Sequence, residues 1–152
     1  MQIDEFWQSY LDAQDPVQYD TAGTYEAWSF GNTPEMADDL GALVLQGIKT
    51  ATASLVWAYE HEEERYPRIG DLSIILDSAG KPLCIIETTQ IEIGPFNAVD
   101  ERQAYEEGEG DRTLAYWRKV HWEFFSEECE SIGKAPNDTM PILCERFKMI
   151  FP

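Results

Sequence analysis

The stretch LSIILDSAGKPLCIIETTQIEI, residues 72–93, holds two apolar runs around Ser78, Ala79, Gly80 and Lys81. Two short runs of aliphatic and β-branched residues joined by a glycine-containing turn mark a β-hairpin. The expected strands are residues 72–77 and 82–93. A hairpin needs no crossover helix, so a repeated βαβ unit is not the organising motif. The tail PILCERFKMIF, residues 141–151, alternates with the period of a strand. Leu143, Glu145, Phe147, Met149 and Phe151 fall on one face; Ile142, Cys144, Arg146, Lys148 and Ile150 fall on the other.

Helical patterns flank these strands. In TPEMADDLGALVLQG, residues 33–47, Thr33 is a candidate N-cap and Pro34 occupies the first helical position. Glu35, Asp38 and Asp39 suit the positive helix start, and Met36, Leu40, Leu43 and Val44 form the expected buried stripe. Gly47 follows as a left-handed terminator. Ile3, Phe6, Trp7, Tyr10 and Leu11 predict an earlier helix over residues 4–13, ended by Asp15-Pro16. Residues 16–32, with Tyr19, Tyr25, Trp28 and Phe30 among turn formers, are expected to be an ordered connection packed by its aromatics. In EGEGDRTLAYWRKVHWEFF, residues 107–125, a helix is expected from about 113 to 125, with Leu114, Trp117, His121 and Phe124 on one face. Helix, helix, strands, helix and a last strand give an α+β class: a small antiparallel or mixed β-barrel flanked by helices. The 152 residues suit a single domain, 1–152, with an N-terminal helical extension (1–32) and a core (33–152).

Composition limits the partners. The formal net charge is −18, from 29 acids against 11 Lys and Arg. Affinity for long nucleic acid comes largely from cations that displace counter-ions on phosphates. Duplex DNA and anionic membrane are therefore excluded as expected partners. A small nucleoside or a short single-stranded RNA in a local pocket is compatible, because short-range hydrogen bonds outweigh a screened global field. No basic leader and no run of about 18 apolar residues is visible. Cys84, Cys129 and Cys144 are odd in number and lack metal-ligand spacing, which points to reduced thiols in a cytoplasmic protein. No metal and no cofactor is expected.

The chemistry concentrates in two places. GIKTATAS, residues 47–54, sets Lys49 beside Thr50, Thr52 and Ser54, which alternate onto one strand face. One reading is an edge strand with a solvated lysine. The other bends Lys49 into a pocket, where partial desolvation lowers its pKa and lets it act as a base on a hydroxyl or water. EEGEGD, residues 106–111, is either a solvated acidic loop in which Asp111 caps the next helix, or a glycine-hinged arm that aims Glu109 into a cleft, fixed by Asp111. Arg112, Arg118, Lys119 and His121 form a local basic cluster that meets one phosphate or pairs with the acids around it. His121 lies on a core face, and His61, in YEHEEER, is expected at the surface.

With these segments in view, LVLQGIKTATAS, YPRIGDLSIIL, the hairpin and EGEGDRTLAYWRKVHWEFF together resemble the ASCH-domain family, over roughly Pro34 to Phe151. The resemblance implies a PUA-like β-barrel with flanking helices and a cleft beside the G-x-K element, and an RNA- or nucleoside-related role. Some members are similar to amidohydrolases that deacetylate N4-acetylcytidine with a lysine, a threonine three residues later and a glutamate from a later segment. Lys49 and Thr52 match the first two, and the glutamate falls at Glu109 or Glu107, with Glu109 preferred. The expected catalytic set is thus Lys49, Thr52 and Glu109, with Thr50, Ser54, Glu107, Asp111, Arg112 and His121 as substrate-binding residues. Other members are assigned ribonuclease activity or RNA binding. Ser54 departs from the smaller amidohydrolases, which carry arginine two residues after the threonine.

Overall fold

The computed structural model describes residues 1–14 and 24–152. In chain order the described elements are α1 (Ile3–Asp12), β1 (Tyr25–Trp28), α2 (Pro34–Leu45), β2 (Ala51–Leu55), α3 (Val56–Glu62), β3 (Leu72–Leu76), β4 (Pro82–Pro95), a 3-10 turn (Phe96–Ala98), α4 (Glu101–Glu107), α5 (Leu114–Ser131) and β5 (Pro141–Phe151). The class is α+β, as expected. The strands form one mixed sheet in the order β1-β3-β4-β5-β2. A closed barrel needs its outermost strands to hydrogen-bond to each other. Here β1 and β2 are the two edges, so the described strands make an open sheet rather than the expected barrel. None of the described helices is long and apolar enough to cross a membrane.

The chain gathers into two compact units. The first takes residues 1–47, 70–87 and 148–152. Its core is Phe6 and Tyr10 of α1 with Ile74 and Ile85, joined by Trp7, Tyr25, Ile150 and Phe151. The helical spacing seen at the N-terminus therefore does bury an apolar stripe, and Phe6 and Tyr10 each meet the Phe151 ring edge-on, at 5.4 and 5.5 Å. The expected stop at Asp15-Pro16, and Tyr19, lie outside the described residues. The hairpin forms as expected: β3 pairs antiparallel with β4, and Asp77 Oδ1 accepts from the Ala79 and Lys81 amides to close the turn.

Two features of this unit differ from expectation. Tyr25–Trp28 is a strand, not a connection, paired in parallel with β3 from Tyr25↔Leu72 to Trp28↔Ile75. Four residues carry too little pattern to announce a strand, and its partner lies some fifty residues away. Helix α2 begins as expected, with the Thr33 hydroxyl accepting from the Met36 amide at 3.1 Å. Its buried face, however, is Ala37, Gly41 and Val44, with Met36, Leu40 and Leu43 only half-buried. Small residues set this rotation: a Cβ on Gly41 would stand 2.7 Å from Leu83 Cδ1.

The second unit takes residues 48–69 and 88–147. Leu55, Phe96, Trp117, Phe125, Cys129, Met140 and Ile142 make its core. Strand β2 pairs antiparallel with β5, so Ala51, Ala53 and Leu55 stand opposite Arg146, Cys144 and Ile142. Helix α5 runs on to Ser131 rather than ending near 125, because Trp117, His121, Phe125 and Cys129 continue one buried line at spacings of four. Helix α4 was not expected at all, and it carries much of the site described next. Phe125 is fully buried. Phe125→Ala removes a ring that this packing cannot refill and should cost about 3–5 kcal/mol in urea unfolding; a change below about 1 kcal/mol would contradict this core assignment.

Candidate functional site

Lys49 is not solvated. It lies between α2 and β2, with only 2 % of its surface exposed. Its Nζ donates to the Ala51 carbonyl at 3.0 Å, to the Glu107 carbonyl at 3.4 Å and to Glu109 Oε2 at 3.1 Å. Glu107 Oε1 is 3.6 Å away. An ammonium withdrawn from water at this depth costs several kcal/mol unless counter-charge and hydrogen bonds are supplied. Two carboxylates and two carbonyls supply them here.

Helix α4 and the loop after it deliver those groups. Asp100 accepts from the Gln103 amide at 2.9 Å and starts the helix. Gly108 ends it in the left-handed region, at φ 74°. A side chain at Gly108 would be doubly penalised, since its Cβ would also stand 2.8 Å from the Ile48 carbonyl oxygen. The helix end can thus press on the backbone just before Lys49, and the Thr50 amide donates to the Glu106 carbonyl at 2.7 Å. Gly110 (φ 57°) and Arg112 (φ 65°) wind the loop further, with Gly110 pressed against the Tyr116 ring. The result places the Glu109 carboxylate on Lys49 across sixty residues of chain.

Glu107 is the most enclosed acid of the group, with 1 % of its side chain exposed. Its Oε2 accepts from the Trp117 indole N–H at 2.5 Å and from Gln103 Nε2 at 3.1 Å. Its Oε1 faces Lys49 and His121 Nε2, the latter at 3.2 Å. Burial on its own would raise this carboxyl's pKa. The Lys49 charge, the His121 hydrogen bond and charge, and the Trp117 N–H outweigh it and hold the group below the ordinary carboxylate value. His121, itself buried, is pulled down by desolvation but pushed further up by the hydrogen bond and charge of Glu107, then by Glu109 and the Trp117 carbonyl, so it lies above the usual histidine value. The donor atoms of Glu107, Glu109 and His121 lie within 4.8 Å of one another, a spacing that would suit a cation. The Lys49 ammonium is in contact with both carboxylates.

The remaining expected residues are spread more widely. Thr52 is tied in through its backbone: Gln103 Nε2, which also holds Glu107, donates to the Thr52 carbonyl at 3.1 Å. Thr50 Oγ1 donates to the Glu106 carbonyl at 3.4 Å. Ser54 pairs with the Tyr59 hydroxyl at 2.9 Å, and burial pushes that phenol up to about 12. Asp111 does not cap α5 directly. It accepts from the Thr113 amide and hydroxyl, and Thr113 is the cap, accepting from Tyr116. Arg112 donates to the Tyr105 carbonyl and lies 3.6 Å over the Tyr105 ring, while Arg118 donates to the Asn97 carbonyl. With His121 buried, the expected basic cluster is not one cationic patch. The substrate-binding role expected of Glu107 meets a carboxylate whose two oxygens are already engaged by the protein. His61 is exposed, as expected.

Gln103 and Trp117 complete the polar shell; Gln103 was not singled out from the sequence, and Trp117 was expected only on the helix face it shares with His121. A signal did exist for Gln103: Asp100-x-x-Gln103 is a capping-box pattern that marks a helix start. Gln103 also lines a cavity of about 230 Å³ with Val99, Asp100, Ile142, Cys144 and Arg146 among its walls. Burial pushes the Cys144 thiol up to about 12, followed by the charges of Glu107 and Glu92, so it is an inert wall and not a nucleophile. All three cysteines are free thiols.

The site is a buried lysine held by one carboxylate from a helix end and one from the glycine-rich loop after it, in an α+β fold with a mixed sheet. The ASCH-domain model matches residues 26–151, and the chain belongs to that family. It is similar to the ASCH domain from Lactobacillus crispatus JV V101, at 33 % identity and TM-score 0.94, over 98 % of this chain and 94 % of that one. It is also similar to a protein of Enterococcus faecalis V583, at 38 % identity and TM-score 0.86, over 98 % of this chain and 88 % of that one. No curated protein matches it.

Two outcomes follow from the clamp. Glu107→Gln keeps shape but leaves Lys49 and His121 without their shared anion, and should cost roughly 3–5 kcal/mol in urea unfolding. The stability supplied by the lowered Glu107 pKa is present above its ordinary value of 4.5 and is lost as pH falls below it. That supplied by the raised His121 pKa is present below its ordinary 6.5 and is lost as pH rises through the folded value. The gap in melting temperature between wild type and Glu107→Gln should therefore be widest between about pH 4.5 and 6.5; a gap that does not change with pH would refute the assignment.

Proposed function

We propose that the chain is a hydrolase of a small modified nucleoside or related amide, of the N4-acetylcytidine kind, worked by Lys49, Thr52 and Glu109. The single observation that carries this reading is the buried contact between Lys49 and Glu109, 3.1 Å, drawn from segments sixty residues apart. A purely structural surface lysine has no need of such an arrangement, and ionisable groups held in contact inside a protein are where proton transfer is arranged.

In this reading Thr52 attacks the amide carbonyl, or positions a water that does. Lys49 takes the proton from the attacking hydroxyl while passing one to Glu109, so the amine is never required to stand without a partner. The proton held by Glu109 then goes to the departing amine, and water releases the acyl group from Thr52 by the reverse relay. Backbone N–H groups beside the site would stabilise the oxyanion. The 230 Å³ cavity favours a single-ring ligand, because it falls below the roughly 300–1,000 Å³ of pockets that hold larger molecules. Gln103 links that cavity to the site, since its side chain lines the one and bonds to Thr52 and Glu107 in the other. The PUA-like character of the fold belongs to the same reading.

The second reading is a module that binds RNA or a nucleotide without catalysis, and metal-independent RNA cleavage is a third. The charge of −18 counts against long RNA in both. Two substitutions test the hydrolase. Thr52→Val preserves side-chain shape, and Lys49→Gln preserves a donor; each should lower kcat/KM on N4-acetylcytidine about a hundredfold or more with the circular dichroism spectrum retained. Full activity in either variant would end this mechanism. Affinity for single-stranded RNA that falls steeply with salt would favour the binding module instead.

A further inference from the structure

The protons around His121 can be counted from geometry alone. Its Nδ1 lies 2.9 Å from the Trp117 carbonyl oxygen. A carbonyl cannot donate, so the hydrogen belongs to Nδ1. In a neutral imidazole the other nitrogen, Nε2, would then carry a lone pair. Yet Nε2 lies 3.2 Å from Glu107 Oε1, another acceptor. Two lone pairs cannot face each other at that distance in a buried site, so a proton lies between them. Glu107 already accepts at its other oxygen from the Trp117 indole and from Gln103, and faces Lys49 through Oε1. Those contacts favour the carboxylate, which places the extra proton on the ring. The ring also stacks on the Trp117 indole, centroids 4.2 Å apart and 11° from parallel, an electron-rich face suited to a cation.

We propose that His121 is a positioning residue held as an imidazolium, whose charge cancels that of Glu107 and leaves Glu109 as the one uncompensated carboxylate of Lys49. The groups that face His121 are Glu107 from α4, Glu109 from the loop after it, and Trp117 and Phe125 from its own helix. With Lys49 included the enclosure holds two cations and two anions, a net charge of zero. When His121 loses its proton the balance becomes −1, and Lys49 faces two uncompensated carboxylates. The ammonium is then held more tightly and exchanges its proton less readily. His121 thereby sets the net charge that Lys49 faces without touching substrate. The consequence for rate rests on the hydrolase reading; the proton count does not.

Side-chain nitrogen-15 NMR of the full chain between pH 5 and 9 tests the count directly, with the His121 signals assigned by their loss in His121→Gln. At pH 6.5, where a free imidazole is about half charged, both His121 ring nitrogens should carry hydrogen in most molecules. In Glu107→Gln the His121 midpoint should fall by about one pH unit or more, a tenfold loss of proton affinity. A neutral ring with bare Nε2 at pH 6.5 in the wild type would overturn the proposal, wherever the shared proton then lay. The coupling is read from solvent exchange of the Lys49 ammonium protons at pH 6.5, which should slow in His121→Gln, a variant that keeps a donor but no charge. Unchanged or faster exchange would refute the coupling. If N4-acetylcytidine is hydrolysed, the pH profile of kcat/KM should change in His121→Gln. If it is not, the hydrolase reading fails while both NMR results still decide the proposal.

Discussion

A lysine ammonium shut away from water must be answered by charge, and that requirement organises the second unit of this protein. Lys49 exposes 2 % of its surface and contacts two carboxylates. One of these, Glu107, would itself be an uncompensated buried anion without His121, Trp117 and Gln103. Each polar group offsets the burial of the next, so the members of the network are energetically coupled. The same residues that satisfy the charges also belong to the packing: Trp117 is 2 % exposed and sits in the apolar core beside Phe96 and Phe125.

The site is held by helix ends and tight turns rather than by a rigid sheet alone. Helix α4 stops at Gly108, and the loop of residues 108–112 contains three residues at positive φ, one of them the non-glycine Arg112. Left-handed conformations of this density are costly and persist where surrounding contacts fix them. Here the contact of Gly108 with Ile48 and of Gly110 with Tyr116 supply that fixation. The acidic surface has a separate consequence. A chain of net charge −18 discourages polyanions, while the local balance at Lys49 is set by neighbours within 4 Å and is little affected by the distant field.

How much could be read in advance varied by element. The hairpin was legible because two apolar runs and a glycine turn are local signals, and Asp77 closes the turn with groups two and four residues on. Helix α2 was legible in its start, through Thr33 and Pro34, but not in its rotation, which Gly41 decides by admitting Leu83. Strand β1 was missed because its only reason to be extended is β3, far along the chain. Helix α4 was missed although Asp100 and Gln103 carry a capping signal, because the run of acids after it suggested a solvated loop. The pairing of Lys49 with Glu109 was anticipated through the family resemblance and the two glycines; the contacts of Glu107 with His121, Trp117 and Gln103 were not.

The sequence by itself determined the α+β class, the hairpin, the helix caps, the unfavourable field for nucleic acid polymers and the two short segments that hold the chemistry. These are consequences of periodicity, turn residues and composition, all properties of neighbouring positions. Only the tertiary structure decided that the sheet is open, that Lys49 is buried, that Glu107 rather than Glu109 is the enclosed acid, and that His121 faces two acceptors. Burial and proton sharing depend on which distant groups meet and how much water is left between them, and no local pattern encodes that.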